Sequence, residues 1–331
     1  MIPYGEPFDA IDPRRYKIKM NAELSSKFPQ SQSASGLARS FAVFAGDIKI
    51  AHTVFALPFA ILSTFLAAYD PPRRWPRLGQ VLLILVCMFT ARTIAMAVNR
   101  LMDARLDALN PRTARRAIPS GALSRSFYNV IVALCAIAFF AACGGFYLLY
   151  RNPWPLALSA PVLAFLSAYP LLKRFTRLCH YYLGAALALA PVCAWVAIRS
   201  SLAAPPLLMA GAVLCWTAGF DIIYACQDYA SDVQCGVFSV PAKLGIGRAL
   251  WVSRLTHVAS AVLLIALARS ASPPLGTLYL IGVAVAIGLL VIEHSLVHPD
   301  DLSKVGLAFF TVNGVISVLL GTMGVVDVLL R

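Results

Sequence analysis

The chain has 331 residues, 60% of them apolar and 13% charged, with a positive mean hydropathy and a formal net charge of +13. Soluble domains carry about 25% charged residues, so a water-soluble globular fold is excluded. The excess of Lys and Arg, which in a soluble protein would raise nucleic-acid binding, reads here as charge sorted by membrane side.

A helix needs roughly 20 residues to cross a hydrocarbon core of about 30 Å. Residues 1–40 are polar, include the run Ser31-Gln32-Ser33-Ala34-Ser35-Gly36, and are expected to form a flexible cytoplasmic tail without a cleavable signal peptide. Residues 41–331 are expected to form one transmembrane domain. Nine apolar stretches lie at 41–69, 78–99, 127–149, 153–170, 179–198, 205–226, 249–268, 275–293 and 307–329. The fourth, with Pro153, Pro155, Pro161 and Pro170, is the least secure as a complete crossing. With the amino terminus inside, most Lys and Arg fall on the tail and on the linkers after the second, fourth, sixth and eighth stretches. Arg73, Arg74 and Arg77 are the local exception in the first external linker.

Carboxylates against a bilayer are costly, so their positions carry the information. Asn99, Asp103 and Asp107 lie at the inner end of the second stretch, spaced i, i+4, i+8, which stacks them on one helix face. Asp228 and Asp232 repeat the spacing at the inner end of the sixth stretch, with Asp221 and Tyr224 before them. The two sets must emerge on the same side and can face each other across one cavity. Stacked like charges repel, and a helix carboxyl end disfavours negative charge. Both penalties fall if a divalent cation is bound. Magnesium favours carboxylate oxygens combined with substrate phosphate, so Asp103, Asp107, Asp228 and Asp232, supported by Asn99, are the candidate metal ligands and catalytic residues.

Basic residues supply the complement for a diphosphate. Arg112, Arg115 and Arg116 come after the first set, Lys173, Arg174 and Arg177 after the fourth stretch, and Lys243 after the second set. Membrane orientation alone accounts for about half of these charges. Arg92, inside the second stretch, is expected to face the cavity and bind an anion or an Asp. Asp47 and Lys49 are candidate supports of the cavity mouth. Tyr169 and Tyr224 are read as substrate contacts or as packing residues. The five histidines, His52, His180, His257, His294 and His298, form no ligand array and are read as ordinary polar or packing residues, and the eight cysteines as small packing residues.

At these clusters the sequence resembles the UbiA superfamily of intramembrane aromatic prenyltransferases. NRLMDARLD is similar to its NxxxDxxxD motif and DIIYACQDYASD to its DxxYxxxDxxxD motif, with NPRTARRAIPSG, YPLLKRFT and SVPAKLG extending the likeness over residues 41–330. RTIAMAVNRLMDARLDALNPRT, GFDIIYACQDY and EHSLVHPDDLS resemble the 4-hydroxybenzoate polyprenyltransferase-like branch that includes the enzyme of the futalosine route to menaquinone.

The resemblance implies an all-α bundle of nine transmembrane helices around a central cavity. It implies magnesium-dependent transfer of a polyprenyl group from polyprenyl diphosphate to an aromatic acid, of 4-hydroxybenzoate or dihydroxynaphthoate type, in ubiquinone or menaquinone biosynthesis. Such an enzyme is expected in a bacterial plasma membrane, in contact with lipid, with its active mouth cytoplasmic and no obligate protein partner. Asp221, Tyr224 and Tyr169 would complete the pocket, and Arg174 would contact diphosphate or an acceptor carboxylate. One position departs from the family. Ala104 stands where an Arg often comes directly after the central Asp, and Arg105, one residue later, is rotated by about 100°. Binding of diphosphate is then expected to rest on Arg112, Arg116 or Lys173. A secondary transporter and a different lipid-diphosphate transferase are the alternatives.

Overall fold

A computed structural model describes residues 36–49, 55–69, 75–272 and 274–331. Most of the expected amino-terminal tail, together with His52, Arg73 and Arg74, lies outside them. The chain divides into Met1–Ala42 and Val43–Arg331. The described part of the first unit is the opening of a helix, with Ser40 Oγ donating to the Gly36 carbonyl (2.9 Å). The second unit holds the remaining helices and the cavity.

The helices are α1 (Gly36–Asp47), α2 (Leu57–Ala68), α3 (Leu78–Leu109), α4 (Arg125–Tyr150), α5 (Trp154–Leu172), α6 (Cys179–Arg199), α7 (Ala204–Gln234), α8 (Val240–Leu244), α9 (Ile246–Ser270), α10 (Thr277–Leu296) and α11 (Val305–Leu329). Among the described residues eight, α3 to α7 and α9 to α11, are long and apolar enough to cross a membrane. The protein is an all-α polytopic membrane protein. The Pro-rich fourth stretch forms α5, a helix of 19 residues with Pro161 and Pro170 inside it.

The first apolar stretch departs from the expectation of one long helix. α1 ends at Asp47, Lys49 takes a left-handed backbone conformation (φ 49°), and α2 has 12 residues, a rise of about 18 Å. The physical reason is the acid at the break. Asp47 Oδ2 accepts from Arg100 Nε (3.2 Å) and Tyr128 Oη (2.5 Å), and Oδ1 accepts from the Ala117 amide (3.0 Å). The Asp47 and Arg100 side chains are both almost fully buried. The pair joins the end of α1 to α3, to the α3–α4 connection and to α4.

α3 has 32 residues, a rise of about 48 Å, so it outreaches the hydrocarbon core and carries Asn99–Asp107 on its final turns. It stops at Asn110, which is extended (φ −94°, ψ 120°) because the ring of Pro111 disfavours the helical conformation of the residue before it. α6 and α7 pack side by side, as do α7 and α9, and α2 lies on α6 and α11. The α6–α7 approach depends on Gly184, where a Cβ would collide with the Leu214 carbonyl. One turn from Gly184, this approach brings His180 of α6 to Asp221 of α7.

Gly184→Ala is expected to separate α6 from α7 and cost about 1–3 kcal/mol as an overpacked site. Thermal unfolding of the purified chain in detergent checks this, and an unchanged melting temperature contradicts it.

Candidate active site

The cavity has a volume of about 460 Å³ and is lined from α3, α4, α5, α6 and α7, with Lys49, Phe55 and Phe309. Its body is apolar, with Ile84, Met88, Phe139, Leu158, Leu166 and Leu189 on the wall. Its charged part gathers most of the candidates from the sequence: Arg92, Asn99, Asp103, Asp107, Arg112, Arg116, Tyr169, Lys173, Asp221, Tyr224, Asp228 and Asp232. Arg174 touches Asp103 from outside the lining, and Arg115, Arg177 and Lys243 do not line the cavity.

Each of three acids is held by a cation from another part of the chain. Lys173 Nζ, just past α5, donates to Asp103 Oδ2 (2.5 Å), and Arg174 Nη2 stands 4.0 Å from Oδ1 while donating to the Met102 carbonyl (2.9 Å). Arg116 Nη1 bridges both oxygens of Asp107 (2.7 and 2.8 Å). Arg112 grips Asp228 with Nε to Oδ1 (2.8 Å) and Nη2 to Oδ2 (2.5 Å), and its Nη1 donates to Tyr224 Oη (2.8 Å). This fork matches the planar geometry of a carboxylate. Burial lowers the pKa of Arg112, but the hydrogen bond and charge of Asp228 outweigh it and hold the guanidinium above its ordinary value.

The two acid-bearing segments are linked through Asn110. Asn110 Nδ2, at the end of α3, donates to Asp228 Oδ1 on α7 (2.9 Å). The first set rides a continuous α-helix as expected. The second does not, because Cys226–Asp228 tighten into a 3₁₀ turn, so Asp228 and Asp232 are not one uninterrupted α-helical ladder. Asp232 lies on the same wall with Ser239 beside it.

Three side-chain atoms of the cavity lining, Asp103 Oδ1, Arg92 Nη1 and Thr217 Oγ1, are buried without a hydrogen-bond partner among the described residues. The other terminal nitrogen of Arg92 donates to the Lys49 carbonyl (3.2 Å). Asp103 keeps Lys173 on its other oxygen, so what is open there is one acceptor atom and at Arg92 one charged donor atom, and a buried polar atom left open costs about 1–3 kcal/mol, which a ligand of opposite charge would recover. Among the described residues no three His, Cys, Asp or Glu side chains converge as a closed metal cage. The donors present are carboxylate and amide oxygens, suited to a hard cation that completes its shell with water and phosphate. Arg105 is exposed and lines none of the cavity, as the one-residue shift at Ala104 requires.

His180, read with the other histidines as an ordinary polar or packing residue, has polar partners on two other helices. Its Nδ1 lies 2.7 Å from Asp221 Oδ2, and its Nε2 accepts from the Val240 amide (3.2 Å). Because Nε2 is used as an acceptor, the proton sits on Nδ1 and is donated to Asp221. Asn110 and Arg100 are site and supporting residues that sequence reasoning missed. The signals available were the dipeptide Asn110-Pro111, which ends a helix, and the second charge of NRLMD. His257 likewise has a partner, with Nδ1 3.0 Å from His294 Nε2, and neither ring lines the cavity.

Residues 56–315 match the UbiA prenyltransferase family. The 4-hydroxybenzoate octaprenyltransferase of Serratia proteamaculans is 30% identical over 200 residues, covering 56% of this chain and 67% of that protein. The match to the mitochondrial 4-hydroxybenzoate polyprenyltransferase of Drosophila melanogaster, 32% identical, covers 55% of this chain and 45% of that one. The apo structure of a UbiA homolog from Aeropyrum pernix K1 superposes with a TM-score of 0.73 at 31% identity, over 84% of this chain and 98% of that one. A UbiA homolog from Archaeoglobus fulgidus bound to DMAPP and Mg2+ shares the fold, with a TM-score of 0.63 at 19% identity over 87% of this chain and 99% of that one. The chain is therefore a membrane-embedded transferase that belongs to the UbiA prenyltransferase family.

Proposed function

We propose that the protein transfers a polyprenyl group from polyprenyl diphosphate to an aromatic acid, 4-hydroxybenzoate or dihydroxynaphthoate, in ubiquinone or menaquinone biosynthesis. The observation that carries the reading is the meeting of both acid sets on one cavity whose remaining wall is apolar. The curated relatives named for 4-hydroxybenzoate support the acceptor class, and the Archaeoglobus fulgidus homolog with DMAPP and Mg2+ supports the donor and the metal. In this reading residues 41–331 are the catalytic domain, and the first apolar stretch, including α2, is the ninth crossing of a bundle around a central cavity. The mouth is cytoplasmic, in a bacterial plasma membrane.

Asp103, Asp107, Asp228 and Asp232, with Asn99, would hold magnesium, which when bound neutralises the diphosphate as the leaving charge develops. Lys173, Arg112 and Arg116 are the groups that can turn from carboxylates to phosphate oxygens, and Arg174 stands beside them. The allylic C–O bond breaks with its electron pair leaving on diphosphate. The apolar cavity body encloses the prenyl chain and keeps water from the cation. A ring carbon of the acceptor supplies the electrons of the new C–C bond, and the ring proton leaves to a diphosphate oxygen. Tyr169, Tyr224 and Asp221 complete the wall around these atoms, with Asp221 oriented by His180. Arg92 Nη1 is the site for the acceptor carboxylate.

Alanine at Asp103 or Asp228 is expected to reduce magnesium-dependent prenyl transfer by about 10²-fold or more, the scale of losing a preorganised charge-stabilising group, with the helical content unchanged. Mass spectrometry of membranes supplied with magnesium, a polyprenyl diphosphate and each acceptor reads this out. Full activity of either variant contradicts the assignment.

Arg92→Leu is expected to raise KM for the aromatic acid by about 10- to 100-fold, the equivalent of a charge-assisted hydrogen bond, with KM for polyprenyl diphosphate changed little. Steady-state kinetics in each substrate checks this; a rise confined to the diphosphate places the carboxylate elsewhere.

A further inference from the structure

One wall of the cavity is built from aromatic rings to which neither metal binding nor diphosphate binding assigns a role. Phe309 of α11 lies with its ring centroid 4.2 Å from that of Tyr224, 5.2 Å from Phe220 and 5.8 Å from Phe55, and all four line the cavity. Tyr224 is the residue whose hydroxyl receives Arg112, and Arg112 grips Asp228. Phe309 thus stands one ring away from the acid set, at the junction between the charged mouth and the apolar body.

The backbone that presents Phe309 is irregular. Residues Ala308–Val312 form a π-helical turn within α11. The extra residue in such a turn rotates the helix before it by about 100° relative to the helix after it. Asn313 closes this turn, with Nδ2 donating to the Ala308 carbonyl (3.1 Å) and to Glu293 Oε1 (2.7 Å), while its Oδ1 accepts from Trp216 Nε1 (2.7 Å). Glu293, Asn313 and Trp216 are all buried, and the Trp216 ring also packs on Phe220 (5.0 Å) and Phe55 (6.3 Å). Glu293 Oε2 alone in this network is buried without a hydrogen-bond partner among the described residues, and π turns occur disproportionately at functional sites. The network fixes the angle at which one ring enters the cavity.

We infer that Phe309 is a catalytic residue whose ring stabilises the allylic cation by cation–π attraction, and that Asn313, Glu293 and Trp216 are positioning residues for that ring. The inference rests on the proposed prenyl-transfer activity. As the C–O bond breaks, its electron pair leaves on diphosphate and the allyl carbon is left positive beside the ring. The ring lends electrostatic stabilisation without forming a bond, until the acceptor carbon forms the C–C bond and loses its proton to diphosphate. A carboxylate in the same place would stabilise the cation more but would also capture it.

The test is the single-turnover rate of transfer by the full chain in lipid nanodiscs, with Phe309 replaced by mono-, di- and trifluorophenylalanine and by Leu. Fluorination withdraws charge from the ring face while keeping its shape, so the logarithm of the rate is expected to fall in step with the number of fluorines. Phe309→Leu is expected to lose about 30-fold, the rate equivalent of a desolvated cation–π contact. Binding of an unreactive prenyl thiolodiphosphate is expected to stay within about twofold across the fluorinated series, because the ground state carries no cation. A flat rate across that series, in a chain whose wild type transfers prenyl groups, overturns the inference. A wild type that forms no prenylated product with magnesium and either acceptor overturns the prenyl-transfer reading and the inference with it. Asn313→Leu, read by the same series, is expected to flatten the fluorine dependence, whereas a merely structural role would lower all rates in parallel.

Discussion

Carboxylates inside a bilayer protein must be neutralised, and the way this chain neutralises them organises its structure. Asp103 is held by Lys173 and Arg174, Asp107 by Arg116 and Asp228 by Arg112, each cation arriving from a connection outside the helix that bears the acid. Asp47 and Arg100 form a fourth pair. Asp47–Arg100 is the pair buried on both sides, and removing one partner there leaves an uncompensated charge at a cost of about 3–5 kcal/mol. These pairs therefore fix where the carboxyl-terminal ends of α3, α5 and α7 lie relative to one another. In the proposed mechanism the three cavity pairs are also the ones that phosphate and a hard cation would exchange.

Much of this was legible in the sequence because charge in an apolar chain is conspicuous. The two acid sets, their spacing and the parity that brings them to one face can be read from the positions of Asp103 and Asp228 and from helix length. The partners were less legible. Lys173 and Arg112 were visible as basic residues, but membrane orientation predicts basic residues in the same linkers, so their pairing with particular acids needed coordinates. The break at Asp47 was hidden because the stretch around it is largely apolar, and what interrupts α1 is a set of contacts to residues distant in sequence. His180 was hidden for the same reason, since its partner Asp221 lies on another helix and the Val240 amide that sets its tautomer lies on α8. The π turn at Ala308–Val312 has no sequence signature of its own.

The cavity joins two environments that the reaction needs in sequence. Its charged part suits the departing diphosphate, and its apolar body suits a hydrocarbon chain and a cation that must not meet water. Between them stand Tyr224, Phe220 and Phe309, whose π faces tolerate positive charge without donating a bond. Arg92 lies about 16 Å along α3 from Asp103, so the open Arg92 Nη1 and the open Asp103 Oδ1 stand at separate places on the cavity wall.

The central claim is that the cavity cations are placeholders that hand their carboxylates to a metal and take phosphate in return. A structure of the full chain in lipid with magnesium and an unreactive prenyl diphosphate analogue tests this most directly. Metal density is expected against Asp103 and Asp228, with Lys173 and Arg112 moved from those carboxylates onto phosphate oxygens. Diphosphate bound with the Lys173–Asp103 and Arg112–Asp228 pairs intact would contradict it.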